Sequence, residues 1–122
     1  MAVTWDEIAA EYLRAFGRIP KAMQEFYDTD PEFALGWFAM KNAVVADKQG
    51  GLDRATKELV FALIDIMLGH PDGALTHARA AMARGMQRTA VLEGFQQIAL
   101  YCGITVYSKT IAPVIARLDD QD

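Results

Sequence analysis

DRATKELVFALIDIMLGHPDGALTHARAAMARG, residues Asp53 to Gly85, predicts two helices joined by a tight HPDG connection. Asp53 suits the N-cap, where a carboxylate accepts from the free amides of the first turn. Gly69 falls where the first helix should stop, because glycine adopts the left-handed closing conformation at little cost. Between Leu59 and Leu68 every residue is apolar except Asp65. A helix that is apolar nearly all round belongs inside a fold. Two acids interrupt it, Glu58 and Asp65. Seven residues apart, they lie about 20° from each other around the helix axis, on one stripe. The second helix, expected from about Gly73 to Arg84, adds His77. Two carboxylates on a greasy helix and an imidazole on its neighbour are the chemistry this sequence offers.

Working outward, Thr4 opens a capping box, T-W-D-E, with Glu7 three residues after the cap. Trp5, Ile8, Ala9, Tyr12, Leu13 and Phe16 follow at helical spacing. Pro20 can start a short helix through Met23, Phe26 and Tyr27, and Asp30-Pro31 is a cap followed by proline at the first helical position. That third helix carries Phe33, Leu35, Trp37, Phe38, Met40, Val44 and Val45 and stops at Gly50-Gly51. Beyond Gly85, Arg88 to Cys102 is helical, with Val91, Leu92, Phe95, Ile98, Ala99 and Leu100 apolar. A last helix, Val106 to Leu118, contains Pro113, which should kink it by deleting a backbone hydrogen bond. No strand alternation, repeat or linker interrupts the series. The expected fold is all-α, a bundle of about six helices.

At 122 residues the chain can build one core, so a single domain over residues 1–122 is expected. With 52% hydrophobic residues it is a folding chain, and its net charge of −4, without a basic cluster, gives no electrostatic footprint for nucleic acid. The single cysteine, Cys102, excludes an intrachain disulfide and a CxxC pair. No signal peptide is visible after Met1, and no apolar run approaches the roughly 18 residues of a membrane span. A soluble cytoplasmic protein is expected, with no membrane partner. Phe33, Trp37, Phe38, Phe61, Phe95 and Tyr107 exceed what one small core can hide, which predicts a homo-oligomer.

Three segments carry a family likeness. LDRATKELV, then Gly69-His70-Pro71 before the HARAA helix, then Glu93 through Ala99, Tyr101 and Gly103 in the pattern E-x-x-x-x-x-A-x-Y-x-G, resemble the carboxymuconolactone decarboxylase and alkylhydroperoxidase D superfamily. The likeness spans roughly Gly51 to Tyr107. It includes the family's glutamate–histidine spacing of nineteen residues, matched by Glu58 and His77. The peroxidase branch carries CxxC where this chain has His70 and Gly73, so its dithiol chemistry is unavailable here. The resemblance is therefore to the decarboxylase branch. It departs at Thr105, where proline is common, and at Asp65, where the family has a small residue. The resemblance implies a helical subunit assembled into a trimer or hexamer with sites near subunit contacts. It implies loss of CO₂ from a carboxylated unsaturated lactone, a small-molecule substrate, with neither metal nor organic cofactor.

Each candidate residue has two readings. His77 is either a half-buried histidine bonded to a backbone carbonyl or, in the family register, the proton donor to the carbanion left by CO₂. Glu58 either complements the helix dipole or orients His77 and shuttles protons, with its pKa raised by an apolar wall. Asp65 is either a catalytic partner or a structural acid, in a buried ion pair with Arg54, Lys57, Arg79 or Arg84 or in an interfacial contact. His70 is a turn residue or a substrate contact, Glu93 a solvated acid or a substrate contact, and Arg84 (or Arg79) a surface cation or a holder of the substrate carboxylate. A mixed metal site from His70, His77, Glu58 and Asp65 matches no ligand spacing, so no metal is expected. The function expected is a cofactor-free decarboxylase. The alternatives are a non-catalytic ligand-binding helical oligomer, for which Asp65 speaks, and a redox protein working through Cys102.

Overall fold

A computed structural model describes residues 2–120, and every regular element among them is helical. The helices are α1 (Trp5–Phe16), α2 (Lys21–Thr29), α3 (Pro31–Val45), α4 (Arg54–Leu68), α5 (Pro71–Ala83), α6 (Arg88–Cys102) and a composite α7 over residues 104–117. They form two compact units, residues 1–46 and 47–122.

In the first unit α1, α2 and α3 are fixed by their ends. The Thr4 hydroxyl accepts from the Glu7 amide at 3.3 Å and the Asp30 carboxylate from the Phe33 amide at 3.1 Å. Pro20 stands just before α2 rather than within it, and its carbonyl accepts from Met23 and Gln24. Aromatic rings fill the interior: Trp5 stacks on Tyr27 at 4.4 Å, and Phe38 meets Trp5, Tyr12, Phe26 and Trp37. Phe38 is buried, as expected of a core ring, but Phe33 is largely exposed.

The second unit is built on α4. The Asp53 carboxylate caps it through the Thr56 amide at 2.7 Å. At the other end Gly69 takes φ +75°, and the His70 amide reaches back to the Asp65 carbonyl at 2.8 Å, a Schellman-type stop. The HPDG connection is shorter than the sequence suggests. Pro71 and Asp72 already belong to α5, since proline at the first helical position forfeits only an amide that had no partner. With Gly69 and His70 alone between them, α4 and α5 pack as an antiparallel hairpin. Ala62 and Ile66 of α4, Ala74, Leu75 and Ala78 of α5, and Val91 and Phe95 of α6 form the core, with Ile111, Val114 and Leu118. Gly94 lets α6 approach closely, for a β-carbon there would stand 3.3 Å from both Leu59 and Leu63.

The C-terminal helix is not simply kinked. Ile104–Val106 is α-helical, Tyr107–Ile111 is π-helical and Ala112–Arg117 is α-helical again. The Ala112 amide bonds to the Tyr107 carbonyl, one residue further back than in an α-helix. Pro113 follows directly. Its ring would collide with the carbonyl of residue 109, and the wider π turn accommodates that clash without breaking the helix.

Candidate functional site

Glu58 sits one turn into α4 and His77 in the middle of α5, so the hairpin brings their side chains together across its seam. The His77 Nδ1 lies 2.7 Å from Glu58 Oε2. Four residues before Glu58, on the same face, the Arg54 Nε–H donates to Glu58 Oε1 at 2.8 Å. The carboxylate is thus held at both oxygens. Its side chain is 5% exposed, whereas Arg54 and His77 are 30% and 33% exposed. The acid is the closed part of the site, and Arg54 and His77 flank its opening. Phe61, less than one turn after Glu58, lies against the imidazole with ring centroids 5.1 Å apart.

Burial is the largest single influence on Glu58 and pushes its pKa up, as the sequence suggested. It does not win. Hydrogen bonds from His77 and Arg54, with their charges, together outweigh it and hold the carboxyl below its ordinary value. The expectation of a raised pKa is therefore corrected: the apolar wall exists, but two donors face the acid within it. An ionised carboxylate can only accept, so the His77 Nδ1 carries the proton and Nε2, on the opposite edge of the ring, is left for other chemistry.

Asp65 goes elsewhere. Its Oδ1 is 3.6 Å from His70 Nδ1, close enough for charge attraction but too far for a hydrogen bond. Its Oδ2 stands 2.5 Å from the position a β-carbon on residue 73 would occupy. Arg54, one of the cations considered for Asp65, serves Glu58 instead. The two acids share a stripe of α4 as the spacing predicts, yet they face different partners because α5 runs antiparallel beside them. His70 is exposed at the start of α5, and its side chain makes no cap hydrogen bond. Glu93 is exposed on α6, and Arg84 is exposed at the C-terminal end of α5, two turns beyond His77. Arg79 donates to the Arg117 carbonyl at 2.6 Å. The structure thus unites Glu58 and His77 and leaves Asp65, His70, Glu93 and Arg84 outside that contact.

Sequence reasoning missed Arg54 as the second partner of Glu58 and Phe61 as a neighbour of His77. The signal for Arg54 was the i, i+4 spacing to Glu58. Phe61 had none beyond lying less than a turn from the acid. Among the described residues no group of three or more His, Cys, Asp and Glu side chains is placed to hold a metal ion. Cys102 is exposed at the end of α6.

Comparison with known proteins bears on this arrangement. A solved crystal structure titled "putative carboxymuconolactone decarboxylase", from Burkholderia xenovorans LB400, shares the fold with a TM-score of 0.77. The alignment covers 91% of this chain and 85% of that one at 24% identity. Curated proteins gave no match. The profile of the Carboxymuconolactone decarboxylase family matches residues 31–115, a span that holds Arg54, Glu58 and His77. On that match over most of its length, the chain belongs to the carboxymuconolactone decarboxylase family.

Proposed function

We propose that this protein is a cofactor-free lyase that decarboxylates a small carboxylated unsaturated ring or lactone. The observation that carries the reading is the 2.7 Å contact between a buried, ionised Glu58 and the Nδ1 of a partly exposed His77. When the substrate loses CO₂, the carbon–carbon bond breaks and its electron pair passes into the conjugated carbonyl. The protonated Nε2 of His77 then delivers a proton to carbon, and water restores that proton through the exposed edge of the ring. Glu58 fixes the tautomer and ring orientation, and Arg54 keeps Glu58 charged. Asp65, His70, Glu93 and Arg84 have at most substrate-contact roles at the margin.

The working form in this reading is a homo-oligomer, a trimer or hexamer, in the cytoplasm. Val60, Ile64, Met67 and Leu68 form an exposed apolar stripe on α4 beside Phe61, and such a stripe suits a subunit contact. No helix among the described residues is long and apolar enough to cross a membrane. The test is CO₂ release from a carboxylated γ-lactone across pH, with His77→Gln alongside. Full turnover by that variant would remove His77 from the reaction. Sedimentation of the native protein and of Ile64→Glu tests the assembly.

A further inference from the structure

We infer that Phe61 is a positioning residue for His77: its ring holds the imidazole on Glu58 and keeps it from Asp65, the second acid of the same stripe. For the reaction this rests on the lyase reading above, and it names what aims Nε2. Phe61 comes three residues after Glu58 and four before Asp65. Those steps put all three side chains within about 60° around α4, with the phenyl between the two carboxylates along the axis. Asp65 meets α5 at Gly73, one turn before His77, so the two acids serve neighbouring turns of α5. Phe61 stands between those turns, its ring centroid 5.1 Å from that of the imidazole.

One hydrogen bond does not fix a ring. The 2.7 Å contact pins Nδ1 to Glu58 Oε2, but an imidazole can still rock about that line, and its χ2 torsion has broad minima. Among the described residues the imidazole has no other hydrogen-bond partner. Phe61 supplies the second point of contact. Its ring is inclined at 53° to the imidazole, the tilted packing that aromatic pairs prefer to a flat sandwich. A phenyl neither donates nor accepts in the ring plane, so it orients the imidazole without competing with Glu58 for the Nδ1 proton. Phe61 is itself half-buried, which limits its own movement. The other histidine of the hairpin shows what happens without such a ring. Among the described residues no aromatic side chain lies against His70, and it stands 3.6 Å from its acid, beyond hydrogen-bond reach.

The test reads the ring before it reads turnover. In the native protein the Nδ1–H of His77 should give one proton resonance, protected from solvent exchange by Glu58, with nuclear Overhauser contacts from the ring to Phe61. Phe61→Ala should exchange that proton about tenfold faster, and Phe61→Tyr, which keeps the ring, should restore the native rate. Phe61→Leu keeps the apolar bulk and decides the matter should Phe61→Ala fail to fold; it too should lose the protection. Adding Asp65→Asn to Phe61→Leu should recover part of it, because the competing acid is gone. On a carboxylated γ-lactone, Phe61→Leu should lower kcat about tenfold with KM within about twofold. Native exchange of the Nδ1 proton in a folded Phe61→Leu protein overturns the inference, as does a loss that Phe61→Tyr fails to restore. No recovery on adding Asp65→Asn overturns the part assigned to Asp65. A protected proton that depends on Phe61, in a native protein without turnover, would sink the lyase reading and spare the positioning role. His77-dependent CO₂ release at the native kcat in Phe61→Leu would do the reverse.

Discussion

The Glu58–His77 pair closes at 2.7 Å on an acid that is almost wholly buried, whereas Asp65 and His70 stand 3.6 Å apart with the imidazole 63% exposed. Both pairs join an acid of α4 to a histidine at or within α5. They differ in what surrounds them. Glu58 has a second donor in Arg54 and an aromatic wall nearby in Phe61, so its charge is fixed and its partner is oriented. Asp65 lies beside the connection that closes the hairpin, over the glycine of the first turn of α5, where water competes for both groups. Proximity of an acid and an imidazole is therefore insufficient to orient the ring; that also needs a carboxylate with no freedom to turn away.

The comparison breaks most visibly in turnover. His77→Gln should lower CO₂ release from a carboxylated lactone by about 10²–10⁴-fold, the usual worth of a positioned general acid. His70→Gln should leave it within about threefold, and a comparable loss in both would erase the distinction. Next in size, Glu58→Gln removes two charge-assisted bonds and should destabilise the fold by about 2 kcal/mol in urea titration. Gly73→Ala should cost about 1–3 kcal/mol, since its methyl group must displace the Asp65 carboxylate. Adding Asp65→Ala should recover much of that loss; strict additivity would show that the two positions do not meet.

Acid titration gives a smaller difference. Because folding holds the Glu58 carboxyl below its ordinary 4.5, its contribution is complete above that value and disappears as pH falls through the folded value. The native protein should lose this component in acid and Glu58→Gln should lack it. A variant with the native acid profile would assign the effect to other carboxylates. Smallest of all, His70→Ala should change stability by no more than about 0.5 kcal/mol.

Much of the fold was legible because helix ends are local chemistry. Thr4, Asp30 and Asp53 each cap the helix expected of them, and Gly69 stops α4. Pro71 was harder to place, since proline ends one helix and begins another equally well. The π-helical turn before Pro113 was outside the reach of periodicity, which registers that proline disturbs a helix but not how the backbone absorbs it. At the site, the nineteen-residue register picked out Glu58 and His77. The 20° stripe that grouped Asp65 with Glu58 was correct on α4 and uninformative about which part of α5 each acid meets.

By itself the sequence determined most of the helices and their caps, because these depend on neighbours a few positions away, and its nineteen-residue register singled out Glu58 and His77 as candidates. Only the tertiary structure decided that Glu58 is ionised rather than protonated. That outcome balances burial against two donors, one from its own helix and one from nineteen residues on. It also decided that Arg54 belongs to Glu58 and that Asp65 rests over Gly73, since both follow from how α4 and α5 are set side by side.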